Sequence, residues 1–289
     1  GGFFMTRRRF PVGKTLLYVF MSLWALTTIY PFIWVILNSF KPRGLIRSDT
    51  FSLPIGDKFT LENYVTAFKR VDIGTAYVNS IVISGAVTVV VMVLAGLAAY
   101  AMVRYSFRLR GFLHSMIIAS MMFPVFSTII PVFRMESSWG IVNTGSIWLT
   151  RLSVVLPQIA GNLSFAIIVL MGFIRSLPVD LEEAAYLEGY NVYQIFFRII
   201  MPLAKPSFAT VGIFTFLWSY NDLFLQMFFL RSKKFFTITR LLNEISSQAG
   251  TNYGLMVAAV VMVVIPVLVV YIFLQNYIIK GMTAGAVKG

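Results

Sequence analysis

The chain has 289 residues, 58% hydrophobic and only 12% charged, with a mean hydropathy of +0.81. A soluble domain carries roughly 25% charged residues, so this composition excludes an ordinary soluble fold and points to an integral membrane protein. The net charge of +13 does not indicate a nucleic-acid binder, because the basic residues come in short runs between apolar spans, as loop charges facing water and lipid headgroups do.

Taking charged residues as borders gives six spans, each long enough to supply the roughly 20 residues that a helix needs to cross the hydrocarbon layer. Residues 1–14 hold Arg7, Arg8, Arg9 and Lys14. The first span, 15–40, is charge-free; it is too long for a signal peptide and lacks a small-residue cleavage site, so it is expected to be retained. In the segment 41–72, Thr60 caps a predicted short helix whose Leu61, Tyr64, Val65 and Phe68 repeat with helical period, an amphipathic piece suited to lie against the spans or the interface. Ile73 to Val103 is charge-free, and Gly111 to Phe133 contains only His114. Leu152 to Ile174 is again free of charge, Ser207 to Leu230 contains only Asp222, and Asn252 to Ile279 contains none. The stretch 231–251 carries Arg231, Lys233, Lys234 and Arg240 with few acids, fit for docking a soluble partner or for plain solvation.

Six spans put both termini on one side. Lys and Arg divide evenly across the membrane until the long segment 41–72 is set aside, as long translocated loops require; the excess then lies with the termini, which are expected in the cytoplasm. Pro31, Pro124, Pro131, Pro157 and Pro266 are expected kinks. Asn162, Asn221, Asp222 and Gln226 are costly in lipid and should face the protein interior, a water-filled path or, for Asp222, the outer interface, or bond between helices.

Asp180 to Pro206 is an island of charge and helix-start signals between two apolar spans. Asp180 with Glu183, and Asn191 with Gln194, each read as a capping box, and Gly189 between them suits a turn of positive φ. The predicted unit is helix, Gly turn, helix, with Pro202 and Pro206 at its exit. Glu182, Ala185 and Gly189 form a small, polar side able to accept another surface closely. By composition alone the same stretch also reads as a solvated loop.

No catalytic constellation is present. The nearest approach to a phosphate-binding loop, Gly13-Lys14-Thr15, has Arg8 where its first Gly belongs and runs into a span. There is no cysteine, and the one histidine excludes His-rich metal sites and a Ser-His-Asp arrangement. The chain is therefore expected not to be an enzyme, with no catalytic or metal-binding residues, and Asp222, nearly alone, is too little for proton coupling. If the chain serves transport, any energy for it must come from another chain.

Glu183-Ala184-Ala185, then Glu188-Gly189, then Ile199 and Pro202 resembles the E-A-A…(D/E)-G…I-x-x-P loop of the permease subunits of ATP-binding-cassette importers. Phe59-Thr60-Leu61-Glu62-Asn63-Tyr64, Trp218-Ser219-Tyr220-Asn221-Asp222 and the ending Gly281 to Gly289 are similar to the carbohydrate-uptake branch, close to the second permease of maltose and multiple-sugar systems. Tyr190 departs from the pattern, standing where a small residue is common. The resemblance implies an all-α, six-span protein of a bacterial or archaeal plasma membrane, with a five-helix core over 73–279, a coupling loop over 175–206 and a tail over 280–289. It implies pairing with a second permease and two ATP-binding subunits, which carry the ATP and Mg, and delivery of sugar by an extracytoplasmic binding protein. Glu182, Glu183, Ala184, Ala185, Glu188, Gly189 and Pro202 would couple to the ATPase. Arg231, Lys233, Lys234 and Arg240 would meet the binding protein. Asn162, Trp218, Tyr220, Asn221, Asp222 and Gln226 are the candidate substrate path, since aromatic faces and polar groups suit pyranose rings and hydroxyls. The alternatives are an importer of this type for glycerol phosphate, an acidic oligosaccharide or a peptide, and a stand-alone carrier.

Overall fold

The computed structural model describes residues 12–70, 72–249 and 252–286; Arg7, Arg8, Arg9 and the last residues of the tail lie outside them. The described residues are helical and hold no strand. In chain order the helices are α1 (Val12–Ser39), α2 (Arg43–Ser48), α3 (Glu62–Arg70), α4 (Ile73–Arg104), α5 (Arg110–Ser120), α6 (Val125–Ser138) and α7 (Ile147–Ile174). Then come α8 (Asp180–Leu187), α9 (Val192–Ile195), a π-helical turn over Phe196–Ile200, α10 (Met201–Leu203), α11 (Lys205–Asn221), α12 (Phe224–Phe229), α13 (Ile238–Ala249) and α14 (Tyr253–Ala286).

Among the described residues four helices are long and apolar enough to cross a membrane: Gly13–Ser39, Ile73–Arg104, Ile147–Ile174 and Tyr253–Phe273. Two bent pairs, α5 with α6 at 104° and Val192–Leu203 with α11 at 82°, bring the number to six when each counts as one span. Three expectations need correction. The third span is broken, because Pro124 has no N–H to donate and starts α6 from an extended backbone instead of kinking a continuous helix. The fifth span stops at Asn221, and Phe224–Phe229 is a separate short helix. The fourth begins before Arg151, whose charge lies inside α7 because Nη2 donates to Asn79 Oδ1 at 2.8 Å. Similarly, α1 already runs from Val12, and α14 continues to Ala286 through most of the expected tail.

Residues 1–70 with 245–262 form one compact unit, and 71–244 with 263–289 another. In the first, α1 exposes its apolar side chains all round over its first turns, as a lipid-facing helix does. Its end is tied to the segment that follows. Lys41 is fully buried, and its Nζ donates to the carbonyls of Asp49 (3.0 Å) and Thr50 (2.9 Å). Burial lowers the Lys41 pKa, and the nearby Asp49 carboxylate, itself paired with Lys58 at 2.6 Å, opposes that. Thr60 Oγ1 accepts from the Glu62 N–H at 3.1 Å, so the predicted start of α3 holds. Of its predicted apolar face Tyr64 packs on Phe40, ring centroids 5.2 Å apart, and the rest points outward, as in a helix lying on the interface. Leu61, Val65 and Phe68 are exposed, while Asn63 and Ala67 are buried. The reason is Asn63, whose Nδ2 donates to the carbonyls of Ser39 (2.9 Å) and Lys41 (2.8 Å) and thereby turns the helix.

In the second unit α4 packs along α7 and α11. Small residues permit the close approach: a Cβ at Gly96 would lie 2.8 Å from the Phe208 ring and 2.9 Å from that of Phe196. Asp72 caps α4, accepting from the Thr75 hydroxyl at 2.5 Å and the Thr75 N–H at 3.0 Å, which together hold its carboxyl below the usual range.

Asn63→Ala should leave two carbonyls without their donor. Limited proteolysis of residues 41–60 should then run about tenfold faster, equivalent to about 1.4 kcal/mol of local opening. Gly254→Ala should do the same, because the added Cβ would strike the Asn63 amide.

Candidate functional site

The loop Asp180 to Pro206 is a helix, a tight turn and a second helix, as expected. Its first cap is not. Both the Glu182 and the Glu183 N–H bond to the Val179 carbonyl, so Asp180 already lies within α8 and makes no side-chain cap. The end of α8 is the predicted glycine turn: Gly189 has φ +86°, Gly189 N–H donates to Tyr186 O (3.0 Å) and Tyr190 N–H to Ala185 O (3.1 Å). Asn191 and Gln194 then form the predicted capping box, with reciprocal bonds of 2.9 and 2.8 Å. Tyr190, the departure from the family pattern, packs beneath the Arg198 guanidinium, 5.8 Å from its ring centroid.

The side of α8 offered as a docking face is turned inward. Glu182 and Ala185 are buried; Glu182 Oε1 accepts from Arg104 Nε at 2.5 Å and Oε2 from the Tyr100 hydroxyl at 2.8 Å. Arg104 Nη2 also donates to the Leu177 carbonyl at 2.9 Å, so the buried pair is bonded on several sides. Glu182 and Ala185 therefore hold α8 to the end of α4 and are not available to a partner. What faces away is Leu187, 91% exposed, with Tyr193, Leu181 and Tyr186 and the exposed acids Asp180, Glu183 and Glu188 around them. Ala184 and Pro202 are also exposed. Past the turn, Phe196 is buried against Tyr100 (centroids 5.6 Å apart) and Phe208 (6.4 Å), which anchors the second half of the loop. Sequence reasoning missed Tyr100, Arg104 and Phe196, because a charge at a span border reads only as a loop charge.

At the end of α11 remote from this loop, the six proposed path residues divide. Asn162, Trp218, Asn221 and Asp222 line one cavity of about 430 Å³ between α6, α7 and α11. Trp218, half-exposed, also lines an adjoining cavity of about 410 Å³ and packs on Phe165 with centroids 5.1 Å apart. Tyr220 and Gln226 do not reach either cavity. Tyr220 is buried and its carbonyl accepts from Thr239 Oγ1 at 2.7 Å. Gln226 is buried, with Nε2 donating to Ser219 O at 3.0 Å and Oε1 accepting from the Thr237 hydroxyl. Both hold the chain break at Asp222 together. Asp222 itself accepts from Gln158 Nε2 (3.0 Å) and the Leu225 N–H (3.1 Å), and Ser219 Oγ donates to Gln158 Oε1 (2.5 Å). Gln158, Ser219 and Thr237 were not foreseen, since their partners are far apart in sequence.

Of the four basic residues beyond α12, Arg231, Lys233 and Lys234 are exposed. Arg240 is committed within the fold, pairing with Glu244 at 3.1 Å and lying 4.3 Å from the Phe236 ring centroid.

Residues 91–284 match the family described as binding-protein-dependent transport system inner membrane component. The chain belongs to that family. Its relatives include the diacetylchitobiose uptake system permease protein of Streptomyces coelicolor, 34% identical over 93% of this chain and 87% of the relative. The melibiose/raffinose/stachyose import permease of Bacillus subtilis is 31% identical over 90% and 91%, and the arabinooligosaccharides transport system permease of Halalkalibacterium halodurans is 30% identical over 99% and 100%. The carbohydrate-uptake resemblance therefore holds along nearly the whole permease chain. A chain of the crystal structure of a bacterial ABC transporter involved in the import of the acidic polysaccharide alginate has the same fold, with a TM-score of 0.79 at 24% identity, covering 96% of this chain and 99% of that one.

Glu182→Ala should strand the Arg104 charge and lower the unfolding free energy of the assembled protein by about 3–5 kcal/mol in a denaturant titration, whereas the double variant Glu182→Leu with Arg104→Met should recover most of that loss.

Proposed function

We propose that this chain forms one half of the translocation path of an ATP-driven oligosaccharide importer and carries the motion of its ATPase into the membrane. In this reading it pairs with a second permease, sits on two ATP-binding subunits and receives sugar from an extracytoplasmic binding protein. Both termini and the Asp180 to Pro206 loop lie in the cytoplasm. The observation that carries the coupling role is the outward ridge of α8, where Leu187, nearly bare, stands among exposed tyrosines and acids on a helix that Glu182 and Phe196 fix from behind. An apolar anchor ringed by polar groups is what a protein partner buries. A soluble groove with basic residues around an apolar floor would complement it.

The same anchoring supports alternating access. When the ATPase subunits close, the ridge moves with them; because α8 is locked to the end of α4, the tilt passes to α4 and to the helices packed on it. The cavity beside Trp218 is the segment of the path contributed by this chain, with Asn162, Asn221 and Asp222 as its polar groups. Arg231, Lys233 and Lys234 are the surface for the binding protein. Diacetylchitobiose, raffinose-type sugars and arabinooligosaccharides are the printed cargoes of the relatives, which supports an oligosaccharide here.

Leu187→Asp with Glu183→Lys should leave membrane insertion and pairing with the second permease intact while lowering ATP hydrolysis stimulated by sugar-loaded binding protein at least about tenfold in proteoliposomes. Unchanged stimulation would overturn the coupling role.

A further inference from the structure

The cavity beside Trp218 has an asymmetric chemistry. Its lining holds one carboxylate, Asp222, and no basic side chain, and the adjoining cavity is lined by no charged residue at all. It also holds one buried acceptor without a donor, Oδ1 of Asn162, on a residue only 8% exposed. The orientation of that amide is set by its surroundings: Nδ2 donates to the Gln158 carbonyl at 2.8 Å, and exchanging the two amide atoms would bring two oxygens face to face. Asp222 is held in place by the Gln158 amide and the Leu225 N–H, which both donate to its carboxylate oxygens. Across the cavity, the half-exposed Trp218 indole is braced by Phe165 and Phe214 at 5.1 and 6.3 Å and presents a flat apolar face.

We propose that this cavity selects a neutral oligosaccharide and rejects acidic ones: the Asn162 amide oxygen accepts from a sugar hydroxyl, Trp218 supports the apolar side of the ring, and Asp222 excludes uronates and sugar phosphates. The buried acceptor gains from a hydroxyl and loses with an aliphatic chain, because an unpaired buried oxygen is costly. A carboxylate or phosphate on the cargo would instead meet the Asp222 charge in a space with no cation to offset it, and at separations of several ångströms in a protein environment that repulsion weakens binding about 30-fold. This selection rests on the reading of the cavity as part of an import path, and separates this chain from an importer of acidic oligosaccharides.

The test uses the assembled importer in nanodiscs without its binding protein, so that the binding protein's own preference does not enter. Tryptophan fluorescence is titrated with diacetylchitobiose, trehalose and raffinose as neutral sugars and with trigalacturonate as the acidic one, and Trp218→Phe identifies the signal of that residue among the five tryptophans. At least one neutral sugar should quench Trp218 saturably, with trigalacturonate at least about 30-fold weaker. Asn162→Leu should weaken the neutral sugar about tenfold. Asp222→Asn should close most of the gap between the two classes, and Asn221→Lys, which leaves the Asp222 bonds in place, should do so independently. Equal binding of trigalacturonate by the unaltered protein, an unchanged gap in both charge variants, or no Trp218-dependent signal from any neutral sugar would overturn the proposal. The wider reading fails differently, through absence of ATP-dependent uptake of any sugar when the binding protein is restored.

Discussion

The ion pair between Glu182 and Arg104 is the constraint on which the geometry of the loop depends. Withdrawing both charges from water is expensive, and the cost is offset only because each is bonded on more than one side, Glu182 to Tyr100 as well as Arg104, and Arg104 to the Leu177 carbonyl as well as Glu182. A helix of two turns joined to its neighbours by loops alone would be free to roll about its axis. The Glu182 anchor removes that freedom, so Leu187 and Glu183 have one direction in which to point. The Gly189 turn and the Asn191 capping box extend the same fixity around the corner, and Phe196, seated over Gly96, closes it.

The other end of α11 obeys the same rule with neutral groups. A helix that stops at Asp222 leaves backbone groups unpaired where water is scarce, and these must be met by side chains. Gln226 takes the Ser219 carbonyl, Asp222 takes the Leu225 N–H, and Gln158 links Ser219 to Asp222 from α7. Asn79 and Ser80 on α4 hold the segment before α13 by the Phe236 carbonyl (3.0 Å) and the Ile238 N–H (2.9 Å). Polar residues within these spans are thus of two kinds: those fully used by the fold, such as Gln226, and those with an atom left over, such as Asn162.

That division explains how much was legible beforehand. The presence of apolar spans, the Gly189 turn and the Asn191 box depend on hydrophobicity or on residues a few positions apart, so they could be read directly. Asp180 failed as a cap although its spacing to Glu183 was right, because the Val179 carbonyl already serves the helix start and the cap position has passed. The inward turn of Glu182 could not be read, since its partners lie 78 and 82 positions earlier. Tyr220 and Gln226 looked like path residues for a similar reason: Thr239, which bonds the Tyr220 carbonyl, and Thr237, which bonds the Gln226 amide oxygen, belong to a stretch held by Asn79 and Ser80 of α4. Treating charges as span borders also misplaced the start of α7, because the Asn79 amide makes Arg151 tolerable inside a helix.

Stiff and compliant parts of the second unit now fall in different places. Over its 32 residues α4, about 48 Å long, carries the Arg104 and Tyr100 anchor at one end, the Gly96 contact further along and the Asn79 and Ser80 anchors at the other. A tilt applied at α8 meets no slack along that strut. The breaks lie elsewhere, at Met121 to Pro124 between α5 and α6 and at Asp222 and Leu223 between α11 and α12. Both border the paired cavities, through Met121, Phe123 and Val125 on one side and Asp222 to Leu225 on the other. Helices of unbroken hydrogen bonding transmit displacement, whereas interrupted ones absorb it by rotation at the break. Under the proposed coupling, a motion entering through α8 would be carried by α4 and taken up at the joints around Trp218, so that the groups facing the cavity would be the ones whose spacing changes between states.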